Sequence, residues 1–323
     1  MKKKKVFLSI SFILIVASLL LIIFNPPKLG IEFSGGTSVE FSYNQNILKS
    51  EIENRISGSF ETYVLREKGG GYSLQVGDLD EDGRLELLSL LNIGGAAPNI
   101  SAYQSIGPSI SSEITRKALI AALLATIIII LYVAFAFRKV SYPVSSWKYG
   151  LVAMIALAHD VIIPTGIYSI FSYISDAQID VLFVTALLAI IGYSINDTIV
   201  IFDRIREGLR MSREQGREVS FSETIESSVN KSFSRSINTS LTTAFALGTL
   251  YFLGGAVTQW FALTLLIGVF VGTYSSLFFA APLLSLFKTS SKSYKDYVKD
   301  TQGKDALSKA ERELNERLDR NHR

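Results

Sequence analysis

Charge-free apolar runs of membrane length recur along the chain, and each is closed by charge or by turn-forming residues. A run of about 18 or more such residues reads as a helix able to cross a bilayer. The first runs from Val6 to Pro27, directly after Lys2, Lys3, Lys4 and Lys5. A basic start before an apolar run also describes a secretory leader. This run is long, however, and Asn25-Pro26-Pro27-Lys28 is not a small-x-small cleavage site, so a retained anchor is expected. The next windows are Ala118 to Phe137, closed by Arg138 and Lys139, then Tyr149 to Tyr173, broken only by His159-Asp160, then Val181 to Phe202. Ser236 to Phe287 carries no charge and is too long for one crossing. Leu253 to Trp260, with Gly254-Gly255 and an interfacial Trp, divides it into a helical hairpin. The expectation is six transmembrane helices, at about 6–27, 117–137, 149–173, 181–202, 236–253 and 260–287.

Between the first two spans the period changes. Ile31-Glu32-Phe33 and Thr37 to Phe41 alternate like strands around Ser34-Gly35-Gly36. Ile47, Ile52 and Ile56 fit one helix face, and Leu85, Leu87, Leu88 and Leu91 fit another. Phe60 to Leu65 and Tyr72 to Val76 read as strands joined by a glycine turn, with a last strand at Ile100 to Ile106. The order β-α-β-β-α-β predicts a small α+β, ferredoxin-like domain over residues 28–116. A fold that small buries a modest core and is expected to lean on a partner or on the helices. It has no nucleophile motif and no His or Cys cluster.

Charge gives the orientation. Lys2 to Lys5, then Arg138, Lys139 and Lys148, then Arg204 to Arg217, Lys231 and Arg235 fall on alternate loops. The loops Ser172 to Asp180 and Gly254 to Gln259 hold no Lys or Arg. The positive-inside rule then puts both termini in the cytoplasm and residues 28–116 outside, making the domain extracytoplasmic. The chain has 323 residues, 48 % of them apolar, and no cysteine, so disulfide and thiolate chemistry are excluded. A net charge of +3, in blocks beside apolar runs, is no nucleic-acid footprint. No cofactor or metal site is expected, and no enzymatic activity. The segment Met211 to Ser227 reads as a polar, amphipathic surface connection on the cytoplasmic side. Residues 288–323 form a charged cytoplasmic tail, in which Leu307, Ala310, Leu314 and Leu318 make a thin helical stripe.

One ionisable group lies well inside a span. Asp197 is six residues before Asp203, about 9 Å from the helix end at 1.5 Å per residue. A carboxylate there costs roughly 2.5–3.5 kcal/mol on insertion scales, which makes it a functional-site candidate. Arg235, behind the polar run Ser227 to Ser232, falls at a comparable depth on the next helix. Burial favours the neutral acid and a nearby guanidinium the anion, so a movable pair of this kind can take up and release a proton. Arg235 also fits a side chain that snorkels to the headgroups, and Asp197 a structural hydrogen-bonding role beside Asn196 and Thr198. Asp160 belongs to the polar seam, with direct titration left open. Helix neighbours point in different directions, which argues for His159 as a packed residue. Asp203-Arg204 and Arg206-Glu207 fit interfacial charge pairing. Asn238, Thr239, Thr242 and Thr243 can bond across helices, and Gly268, Gly272 and Ser276 form a close-packing face for a helix of this chain or of a partner.

Several strings carry a family resemblance. Gly30-Ile31-Glu32-Phe33-Ser34-Gly35-Gly36-Thr37 resembles the Gly-x-Asp/Glu-Phe-x-Gly-Gly-Thr motif of the SecD/SecF protein-export family, with Glu32 where Asp is usual. Gly107-Pro108-Ser109 resembles its Val-Gly-Pro-Ser motif. Ala158-His159-Asp160, Gly192 to Val200, Phe202 to Glu207 and Arg235 to Ser240 look like the SecF branch. The resemblance covers about residues 5–287. It implies an accessory subunit of the Sec translocase in the bacterial cytoplasmic membrane, with the resistance-nodulation-division fold. The implied partners are SecD as heterodimer, the SecYEG translocon with YajC, unfolded preprotein and membrane lipid. The implied activity is use of the proton gradient to promote preprotein export. The family's proton-site carboxylate corresponds to Asp197 and its membrane arginine to Arg235. A proton-coupled efflux component of the same superfamily, or a passive scaffold, are the alternatives.

Overall fold

The computed structural model describes residues 4–60, 62–68, 70–137, 144–175, 177–215 and 220–287. The tail at 288–323, and Arg138 and Lys139, lie outside the described residues. Five helices are long and apolar enough to cross a membrane: α1 (Lys4–Phe24), α5 (Pro108–Ala136), α6 (Ser146–Ile174), α7 (Val181–Glu214), and the run from α9 (Ala256–Tyr274) to Phe287. This is a multi-pass membrane protein. A further helix, α8 (Phe221–Leu253), has 33 residues but a more polar composition, and it packs along both α7 and α9.

The α+β part follows the expected order with one exception. After α1 come β1 (Lys28–Leu29), a one-turn helix α2 (Ile31–Ser34), β2 (Gly36–Ser42), α3 (Lys49–Ile56), β3 (Tyr63–Lys68), β4 (Gly71–Val76), α4 (Glu81–Leu90) and β5 (Asn99–Ile106). Ile31 to Phe33 is therefore helical and not a strand. The alternation of Ile31 and Phe33 is met by a turn that rests on the start of α5. The sheet is antiparallel in the order β3-β4-β2-β5. Its helix-covered face buries Val39, Phe41, Leu65, Leu74 and Val76 against Ile52, Ile56, Leu87 and Leu91. Tyr43 Oη donates to Leu91 O and Tyr72 Oη to Ile47 O, both at 2.6 Å, which ties the loops to the sheet. Burial pushes the Tyr43 hydroxyl up to about 12.

Gly35 and Gly36 turn the chain from α2 into β2 at φ +73° and +113°, values that side chains resist. A Cβ on Gly36 would strike the Val76 carbonyl, and one on Gly35 would lie 3.2 Å from Ser111 Oγ of α5. The glycine pair is the corner where the sheet meets the membrane helices.

The helical core centres on Phe137 and Tyr149, stacked at 5.1 Å, with Phe202 edge-on to both. Both α7 and α8 outrun their expected apolar windows. α7 continues to Glu214 and α8 starts at Phe221, where Ser220 and Glu223 form a capping box. The described parts of the amphipathic connection expected at 211–227 are mostly helical, with Phe221 and Ile225 buried. α9 ends in a π-helical segment (Ser275–Ala280), then α10 (Ala281–Leu284) and a 3₁₀ turn (Ser285–Phe287). The glycine face of α9 meets this chain's own α7: a Cβ on Gly268 would collide with Ile190, and one on Gly272 would sit 2.9 Å from Ser194 Cβ.

A two-residue strand, β6 (Gln178–Ile179), lies in the loop between α6 and α7. It pairs in parallel with β1, Lys28 opposite Gln178.

Candidate functional site

α7 presents Tyr193, Ser194, Asp197 and Thr198 inward on consecutive turns, since residues three and four apart share a helix face. Asp197 is only 5 % exposed, so it lies in a helix seam and not against lipid. Its carboxyl lies near Ser236 on α8, while Oδ2 is buried with no partner among the described residues. Arg235 adjoins Ser236 on the exposed side of α8. It is near enough to act on Asp197 electrostatically, but the two form no ion pair among the described residues. Depth on two neighbouring helices was legible in the sequence; that Arg235 turns outward was not.

Asp160 on α6 is fully buried, one helix away. Its Oδ2 accepts hydrogen bonds from Ser194 Oγ and, at 3.1 Å, from Ser275 Oγ. Its Oδ1 is 2.8 Å from His159 Nδ1. The expectation that these neighbours diverge is corrected here. Their side chains converge: the Asp160 carboxyl, held through Oδ2 by Ser194 and Ser275, presents Oδ1 to the His159 ring. Around Asp160 runs a string of hydroxyls: Thr198 Oγ1 and Ser276 Oγ are 2.8 Å apart, and Ser276 Oγ donates to Ser194 O at 3.3 Å. A second group joins Tyr193 Oη to Ser240 at 3.3 Å and Ser240 to Thr273. The π-helical segment lets the neighbours Ser275 and Ser276 both serve this seam, one bonding α6 and the other α7, and such turns recur at functional sites. The serines were overlooked in the sequence. The available signal was Ser194, one turn before Asp197, and the Ser275-Ser276 pair in an otherwise apolar span.

The remaining motif residues are peripheral. Asn196 faces outward on α7. Asp203 pairs with Arg206 at 2.7 Å and Arg204 with Glu207 at 3.2 Å, three residues apart on exposed faces, rather than as immediate neighbours. Among the described residues no group of His, Asp and Glu could hold a metal ion.

The seam is tied to the sheet through the α6–α7 loop. Gln178 and Gln75 of β4 pair their side-chain amides at 2.8–2.9 Å. Tyr168 Oη donates to Gln178 O at 2.7 Å, Gly30 N to Ile179 O at 2.8 Å, and Lys28 N to Ser172 Oγ at 2.8 Å. Asp180 caps α7 by accepting from Phe183 N at 2.7 Å. Gly30, lacking a Cβ, leaves room for the Glu32 carboxylate beside Asp180. Burial, assisted by the charge of Asp180, raises the Glu32 carboxyl above its ordinary range, and burial raises Asp180 likewise against its backbone hydrogen bonds.

Residues 89–290 match the family model "Protein export membrane protein SecD/SecF, C-terminal", and residues 20–47 the SecD/SecF GG motif. The chain is 35 % identical over 298 residues to the protein translocase subunit SecF of Thermobaculum terrenum, covering 86 % of this chain and 90 % of that one. It is 36 % identical to the SecF subunit of Calditerrivibrio nitroreducens, over 90 % and 94 %. Among solved structures, SecDF of Thermus thermophilus, described as translocon-associated, superposes with a TM-score of 0.76 at 30 % identity. That match covers 88 % of this chain but 38 % of the longer SecDF chain. The glycine corner, the buried seam of α6 to α9 and these matches coincide: the chain belongs to the SecD/SecF family of protein export membrane proteins.

Proposed function

We propose that this chain is a non-enzymatic subunit of the Sec translocase that draws on the proton gradient to promote preprotein export, with Asp197 as its proton-carrying acid. The observation that carries this reading is Asp197 itself, buried at the α7–α8 seam with one carboxyl oxygen unpartnered among the described residues. An unpaired anion at that depth is costly, so a proton or an approaching cation changes the stable packing. Arg235, beside the Ser236 contact, is the cation able to approach. Asp160, one hydroxyl away from α7 through Ser194, is the second acid of the pathway. The relatives are named as translocase subunits, and nothing in the geometry or the comparisons favours efflux.

In this reading α8 is a sixth span, and residues 28–116 form a ferredoxin-like extracytoplasmic domain whose βαββαβ order and β3-β4-β2-β5 sheet support that name. Both termini are cytoplasmic. Residues 117–287 form the remaining spans and 288–323 the cytoplasmic tail. The α8 face bearing Arg235, Asn238, Thr242 and Thr249 is exposed, a poor match to lipid tails. It suits a second membrane subunit, SecD, and the length of the SecDF chain fits such a pairing. Through SecD the chain works with SecYEG and YajC on unfolded preprotein emerging outside.

Replacing Asp197 by Asn in cells tests the proposal. Gradient-dependent preprotein release is expected to fall at least tenfold, on the scale of about 1.4 kcal/mol or more of coupling lost. Unchanged release refutes the proton role and leaves a scaffold.

A further inference from the structure

We propose that His159 and Asp160 form one proton-holding dyad, a second station in series with Asp197, in which His159 is a working acid–base residue and not packing. The inference rests on the proton-coupled reading above. Both side chains are fully buried and are joined at 2.8 Å through Nδ1 and Oδ1. His159 Nε2 is buried with no partner among the described residues. A histidine that serves packing alone gains nothing from a buried polar nitrogen left unpaired. Here the ring is also held in place, stacked on Phe279 at 4.7 Å and on Tyr274 at 6.2 Å. Tyr274 in turn is fixed to α1, donating to Phe7 O at 3.2 Å and accepting from Ser11 Oγ at 3.3 Å. The imidazole therefore keeps its Nδ1 edge on Asp160.

The groups facing the pair are few. Ser194 of α7 and Ser275 of the π-helical segment bond Asp160, and Tyr274 and Phe279 flank His159. The step is a proton shift. The Asp160 Oδ1–H bond breaks and an Nδ1–H bond forms on an imidazole already protonated at Nε2. Acid and neutral ring become carboxylate and imidazolium, with no change in total charge and no other reactant. Loss of the imidazolium's Nε2 proton to the proton pathway then leaves a carboxylate and a neutral ring protonated at Nδ1, and uptake at Nε2 reverses it, while both hydroxyls stay on Oδ2. Ser194, which bonds Asp160, lies one turn from Asp197 on the same face of α7, so the two stations share that helix face.

The chain has two histidines, His159 and His322, so a His322→Gln variant leaves one imidazole to observe. The full chain in lipid nanodiscs, labelled with ¹⁵N-histidine, is titrated between about pH 5 and 8. Its infrared carboxylic-acid band is followed in parallel and assigned to Asp160 by its loss in Asp160→Asn. The expected result is a single transition in which the imidazole nitrogens and the Asp160 band change at the same pH, as interacting sites do. In His159→Gln, which keeps an amide beside Oδ1, that transition moves along the pH axis by a unit or more. A ring whose nitrogens stay constant while the Asp160 band changes, or a pair that never titrates in this range, overturns the dyad. The Asp197→Asn export assay is independent of this readout, so loss of the dyad and loss of the proton-coupled reading are distinguishable.

Discussion

Glu32 shows how much one residue depends on neighbours distant in sequence. Its carboxyl sits near Asp180, which belongs to a loop almost 150 positions later, and burial raises both acids. The folded chain therefore holds protons that the unfolded chain has already released. These two acids contribute stability that is fully present below about pH 4, the ordinary carboxylate value, and is lost as pH rises through their elevated folded values. Thermal unfolding against pH should show this decline in the wild type, and Glu32→Gln should flatten it. An identical slope in both chains would remove Glu32 from the account. Asp180 is the poorer target, because it also caps α7. Single-residue chemistry was only partly legible in the sequence. Asp197 announced itself by its cost in an apolar run. The hydroxyls that organise the seam, Ser194, Ser236, Ser275 and Ser276, did not, because a serine in a spanning helix is unremarkable until its neighbours are known.

At the level of elements, hydrophobic periodicity located five of the long helices and every strand of the four-stranded sheet. It failed at boundaries set by tertiary contacts. α7 and α8 extend past their apolar windows because they shield each other, and a charge count cannot see a helix that leaves the bilayer while still packed. The short strand expected at Ile31 became a helical turn because α5 lay beneath it. The Gly268-Gly272 face was legible as a contact but not its partner, which is α7. Gly272→Val should therefore cost about 1–3 kcal/mol by forcing Ser194 and α7 away, measured as a fall in Tm of the purified chain. It should also disturb the Asp160 infrared band, since Ser194 holds that carboxyl. A tolerated valine with an unchanged band would show that α7 and α9 have slack.

At the scale of the molecule, the sheet and the helices have separate cores, and among the described residues the glycine corner on α5 and the loop between α6 and α7 join them. The second join connects the sheet to the two helices that carry Asp160 and Asp197. Gln178→Ala removes the amide pair with Gln75 while leaving both acids untouched. Proton uptake by the seam, read from the carboxyl bands, should persist while gradient-dependent export declines several-fold. Export at the wild-type level would mean that the glycine corner alone transmits the motion.

The β1–β6 pairing has a mechanical consequence. α7 is 34 residues long, roughly 51 Å at 1.5 Å per residue. Val181, where α7 begins next to β6, lies 16 residues from Asp197, about 24 Å along the helix. A tilt of about 12° pivoting near the acid would carry that end, and β6 beside it, sideways by roughly 5 Å. One interstrand spacing in a sheet is about 4.8 Å, so a displacement of that size is enough to slide or unseat a neighbouring strand. Protonation changes worth a few kilocalories can thus become ångström-scale travel outside the bilayer without either core deforming.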